Sequence, residues 1–187
     1  MGYRMSNSRT GFDVTRRLIY PKGAYILHMI RMMMWDRRNG DRDFKEMMQD
    51  FVKTYSGKAA STEDFKAIVE KHMNADMKAM GDSKMDWFFG EYVYGTQLPS
   101  YSFDSSFETS PEGDVLLKFT LSQANVDDRF RMLVPIYLEM ADGRTVMLGH
   151  VRISGSSTAE QKVPLRGLKE KPRKAIINYM DDVLAAN

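Results

Sequence analysis

Tyr94-Gly95-Thr96-Gln97-Leu98-Pro99-Ser100-Tyr101 is where the hydrophobic period of this 187-residue chain changes. Before it, apolar residues recur three and four apart, as on one face of a helix. After it they alternate, as on a strand with one buried face. The stretch itself carries a glycine and a proline, which stop helices and open turns. The chain therefore divides into a helical part, residues 1–97, and a β part, residues 98–187, and the expected fold class is α+β.

Working back from Gly95, a helix is expected from about Ser83, with Asp86 three residues later and Met85, Phe88, Phe89, Tyr92 and Val93 on its apolar face. A second begins at Ser61-Thr62-Glu63-Asp64, a capping-box-like start, and places Phe65, Ile68, Val69, His72 and Met73 together. His72 there reads as a packed or half-buried histidine rather than a ligand. A third runs from Asp41 to Ser56-Gly57 with the stripe Phe44, Met47, Met48, Phe51 and Tyr55. The most N-terminal starts near Lys22, buries Ile26, Met29, Ile30 and Met33, and stops near Asn39-Gly40. About four helices result.

Working forward, Val115, Leu117, Phe119 and Leu121 point one way and Lys118, Thr120 and Ser122 the other. Met132 to Met140 reads as a strand in which Pro135 implies an edge position or a bulge, because proline donates no ladder hydrogen bond. Asp142-Gly143 is a hairpin turn and Thr145 to Ile153 its return strand. Gln161 to Leu165 and Lys174 to Tyr179 add shorter strands, with Gly155-Ser156-Ser157 as a turn. Short strands separated by turns predict a small antiparallel β-sandwich.

Composition narrows function mostly by exclusion. Hydrophobic residues make up 43% and charged residues 28%, as in a soluble globular protein. No apolar run approaches the roughly 20 residues that span a bilayer, and Met1 to Arg17 is polar and basic without an apolar leader core. No membrane association is expected, and the compartment stays open. The net charge of +2 gives no electrostatic reason to expect nucleic acid. With no cysteine there is no thiol nucleophile, disulfide or thiolate metal site. His28, His72 and His150 form no local pair, and the chain has no His-Glu-x-x-His, no Gly-x-Ser-x-Gly and no glycine-rich phosphate loop. The basic groups Arg16-Arg17 and Arg37-Arg38 with Arg42 read as solvated faces or helix ends. Trp87-Phe88-Phe89 and Tyr92 to Tyr94 read as core, and the 16 methionines as flexible core filler.

Tyr20-Pro21-Lys22-Gly23-Ala24-Tyr25-Ile26-Leu27-His28-Met29-Ile30-Arg31 resembles the Tyr-x-Lys-Gly segment of the aminopeptidase N family, zinc metallopeptidases of the gluzincin type. Phe44 to Tyr55, Ala60-Ser61-Thr62-Glu63-Asp64-Phe65, and Met85-Asp86-Trp87-Phe88-Phe89 with Tyr94-Gly95-Thr96 and Leu98-Pro99 are similar, in order, to the segments that follow in that family. The β part, closing on Asn178 and Asp182-Val183-Leu184-Ala185, is similar to the sandwich after the catalytic domain. The resemblance runs from about Leu18 onward.

It implies that the helical part is the end of a thermolysin-like catalytic domain. It further implies that Tyr20 is the tyrosine whose hydroxyl stabilises the oxyanion while a zinc-activated water attacks the peptide carbonyl. The family's zinc motif, third ligand and exopeptidase segment all lie upstream of that tyrosine. This sequence holds nineteen residues before Tyr20 and none of those motifs. The chain then reads as the C-terminal part of a zinc aminopeptidase, holding no metal or cofactor site of its own and inactive alone, with zinc in the full-length parent. Its partners would be the upstream zinc-binding part and the parent's peptide substrate, and its exposed apolar face could support a homodimer. The alternative reading is a stand-alone, non-enzymatic interaction module of the same fold.

Overall fold

A computed structural model describes residues 12–111, 113–168 and 170–186, with residues 12–18 as backbone alone. The polar stretch before residue 12 and the Arg16-Arg17 side chains lie outside that description. The chain separates into two compact units, Met1–Thr96 and Gln97–Asn187. No helix among the described residues is long and apolar enough to cross a membrane.

The first unit contains α1 (Phe12–Met34), α2 (Arg42–Tyr55), α3 (Thr62–Lys71), α4 (Ala75–Met80) and the short α5 (Asp86–Phe88), which runs into a π-helical turn over Phe89–Tyr94. α1 begins ten residues before Lys22 and carries Pro21 inside it. Pro21 can donate no hydrogen bond to the carbonyl one turn back, yet the helix continues through it. α1 also ends earlier than expected, at Met34. Asn39-Gly40 belongs instead to a turn in which Asp36 accepts from the backbone N–H of Arg38 and Asn39 at 2.6 and 2.9 Å, and Gly40 takes φ +57°.

α3 starts as expected: Asp64 N–H donates to Ser61 Oγ at 3.2 Å and Ser61 N–H to Asp64 Oδ2 at 2.8 Å, a reciprocal capping box. α4 is an element beyond the four helices read above. Asn74 caps it, accepting from Met77 N–H at 3.0 Å, while its amide donates 2.7 Å to Met33 O and ties it to the end of α1. The last helix cannot begin at Ser83, because Asp82 and Ser83 hold φ +50° and +64°. It begins after Met85, whose N–H donates to Glu70 Oε1 at 3.0 Å. Gly95 terminates the π turn. A Cβ there would sit 2.3 Å from Glu91 O, so no larger residue fits without moving backbone.

The second unit holds β1 (Ser100–Thr109), β2 (Val115–Ala124), β3 (Arg131–Glu139), β4 (Thr145–Ser154), β5 (Ser157–Leu165) and β6 (Lys174–Ile177). They form two three-stranded antiparallel sheets, β1-β2-β5 and β4-β3-β6. β2 alternates as its sequence does, with Leu117, Phe119, Leu121 and Gln123 buried. Asp142-Gly143 makes the β3–β4 hairpin, with Gly143 at φ +85°.

β3 corrects the edge assignment for Pro135, since it is the central strand of its sheet and buried from Met132 to Leu138. β6 pairs with β3 only from Ile136 onward. Pro135 therefore sits just past the doubly paired stretch, where its missing N–H is tolerated. A bulge is also present, but on the partner strand, two residues from the in-register Pro135–His150 pair. Ile136 pairs with Gly149 and Tyr137 with Met147, leaving Leu148 unmatched.

Candidate functional site

Tyr20 stands on α1, 72% exposed, with no hydrogen-bond partner among the described residues. One turn further along the same face are Gly23, whose missing side chain faces open space, and Ala24. On that C-terminal side the phenol has only small neighbours. Lys22 is half-buried and burial lowers its pKa. From Met29 the same helix becomes core, with Met29, Ile30, Met32, Met33 and Met34 all buried. α1 is thus anchored at its C-terminal half and displays Tyr20 from the other. Arg31 fixes the anchor with a bidentate pair to Asp41, 2.8 and 2.7 Å, which lowers the Asp41 pKa. Asp41 occupies the α2 N-cap position, but its side chain makes no capping bond.

Sequence reading missed two polar networks in this unit. In the first, Lys66 donates 2.6 Å to both Asp86 and Glu63, and Tyr94 OH donates 2.7 Å to Glu63. These bonds join the first turn of α3 to α5 and the π turn, and they raise the Lys66 pKa. The Glu63–Lys66 spacing of three was a visible signal; Asp86 and Tyr94 are too far along the chain to be.

In the second, Asp50 Oδ2 accepts Lys71 Nζ at 2.7 Å and contacts His72 Nε2 at 2.9 Å. His72 is half-buried, as expected. Lys71 first and His72 second hold the Asp50 carboxyl at about 2, against an ordinary 3.8. A depressed folded pKa stabilises the protein above the ordinary value, and the contribution disappears as pH falls from about 4 towards 2. Asp50→Asn should remove that slope from acid unfolding followed by circular dichroism, leaving wild type and variant alike below pH 2 and the variant weaker at neutrality. Parallel curves would show that Asp50 carries no linkage.

The remaining expected positions are bland. Phe88, Phe89 and Tyr92 are core and Trp87 is half-buried. Arg37 and Arg38 are exposed in the turn after α1, and Arg42 lies 3.4 Å from Asp43. His28 and His72 lie in the first unit and His150 in the second, and among the described residues no group of three or more His, Asp or Glu could hold a metal ion. In the second unit an open trough of about 610 Å³ lies on sheet β1-β2-β5, lined by Asp104, Ser106, Lys118, Thr120, Glu160 and Lys162. Its two lysines are engaged by Glu108, at 2.5 and 3.2 Å.

Among the described residues the geometry offers an accessible phenol at Tyr20 on an anchored helix and no group of three or more His, Asp or Glu placed to hold a metal ion. Scanned against known protein families, the chain matches no family model, and no curated protein matches it.

Proposed function

We propose that this chain is the C-terminal part of a zinc aminopeptidase and supplies Tyr20 as the oxyanion donor. The observation that carries the proposal is the presentation of Tyr20. Its hydroxyl is accessible and unpartnered among the described residues, beside a glycine and an alanine, on a helix whose other half is core. A phenol O–H held this way can donate to an oxygen whose charge develops only in the transition state. The described residues do not fit a zinc site, so on this proposal the metal ligands lie elsewhere in the parent, and no step is assigned to a metal here.

Two measurements test this together. The native reading frame upstream of Met1 should encode His-Glu-x-x-His within roughly a hundred residues; an upstream frame closed by a stop codon sinks the proposal. The 187-residue chain incubated with zinc should not hydrolyse fluorogenic aminoacyl amides. Zinc-dependent turnover by this chain alone would mean that the ligands lie within it.

A further inference from the structure

Four strands border the two sheets, and three of their edges are blunted by devices that natural sheets use against edge-to-edge pairing. β5 carries Lys162 and Pro164. β4 is bulged at Leu148, next to Gly149 at φ +154°. β6 has four residues. β1 is different: it has ten residues, no proline and no lysine or arginine, and it pairs with β2 without a register break. Among the described residues it hydrogen-bonds to no other strand, although it runs close to β6, and its own charges are the acidic Asp104 and Glu108. Asp104, Ser105 and Ser106 are consecutive and all exposed, so both faces of the strand are open at its middle.

We infer that β1 is a homodimer interface, in which the edge of one copy pairs antiparallel with the edge of a second about a two-fold axis at Ser105. Among registers centred on the exposed middle of the strand, Asp104 to Ser106, the side-chain pattern favours this one. Only residues of like parity can face each other if the core-side residues Phe103, Ser105 and Phe107 are to remain on one face. Pairing Asp104 with Asp104 of the second copy, or Asp104 with Glu108, opposes like charges.

Centring on Ser105 avoids both. Asp104 then faces Ser106, Glu108 faces Ser102, and Phe103 faces Phe107 twice across the axis. Glu108 is moreover neutralised by Lys118 and Lys162. Outward-pointing amides meet outward-pointing carbonyls, so the two three-stranded sheets become one of six strands. The inference does not rest on the aminopeptidase reading.

The absence of cysteine makes the register directly testable. In this pairing Ser105 lies opposite itself, at a Cα separation of about 4.5–5.5 Å, within the span of a disulfide. Ser106 lies on the other face, about 8 Å from its own copy. Oxidised Ser105→Cys should therefore run as a covalent dimer and Ser106→Cys should not. In sedimentation the wild-type chain should dimerise with concentration, and Ser105→Lys should weaken this about tenfold or more, with an unchanged circular dichroism spectrum. If Ser105→Lys does not fold, the cysteine pair decides alone. Equal cross-linking of the two cysteine variants, a wild type monomeric at every concentration, or a dimer indifferent to Ser105→Lys would each overturn the inference.

Discussion

On the proposed function, Tyr20→Phe in a full-length zinc-loaded parent is expected to lower kcat about 10²–10³-fold while KM stays nearly constant. The size is that of removing one preorganised donor to an oxyanion, about 2.7–4 kcal/mol of transition-state stabilisation. Because the bond is made in the transition state and not to the ground-state carbonyl, kcat and kcat/KM should fall together. Fold stability should not follow. Tyr20 is 72% exposed, and deleting one solvated hydroxyl usually changes stability by under about 0.5 kcal/mol. Steady-state kinetics beside a urea melt separates the two possibilities. A kcat within twofold of wild type refutes the catalytic assignment, and a large loss of stability would give Tyr20 a structural role instead.

The largest structural effect is expected in the second unit, from Tyr137→Phe. Tyr137 lies on the central strand β3 and donates 2.7 Å to Asp182 Oδ1, while Asp182 Oδ2 accepts from Met180 N–H at 3.3 Å. Asp182 is 1% exposed and Tyr137 4%. Burial, and then the bond to Asp182, raises the Tyr137 pKa, so the phenol remains the donor. Removing the hydroxyl takes one charge-assisted donor away from a buried carboxylate and should cost about 1.5–3 kcal/mol. Asp182→Asn should cost less, because an amide oxygen still accepts from Tyr137. Urea unfolding of both variants measures this ordering. A loss under about 0.5 kcal/mol for Tyr137→Phe, or a larger loss for Asp182→Asn, would show that the pair does not hold the C-terminal segment to β3.

Local signals located what local physics decides. The Ser61–Asp64 box opened α3 where it was expected, and Asp142-Gly143 closed the β3–β4 hairpin. Alternation in β2 named Leu117, Phe119 and Leu121, all buried, but overstated Val115, which is half-buried, and passed over Gln123. Misreadings arose where one local rule yielded to its surroundings. The first helix was expected to start near Lys22, but α1 begins at Phe12 and passes through Pro21. Asn74 to Met80 is only a turn and a half of helix, too short for a periodic stripe to stand out.

The π turn over Phe89–Tyr94 was hidden for a related reason. Phe88, Phe89, Tyr92 and Val93 suit an α-helical face, and nothing in that pattern registers the extra residue. For the candidate site, the segment around Tyr20 was legible only through its resemblance. The Asp50–His72 and Tyr137–Asp182 pairs join residues 22 and 45 positions apart, beyond any periodicity.

Met29, Met32, Met33, Met34, Met47, Met73, Met77, Met80 and Met85 are all buried in the helical unit. Thioethers are oxidised to sulfoxides when oxidant reaches them, and these are shielded while the helices stay closed. Peroxide sensitivity in this unit is therefore governed by how often it opens. A sulfoxide formed during one opening is polar and does not repack, so each event makes the next more frequent. The helical unit carries a chemical memory of its own excursions, written in the residues that fill its interior.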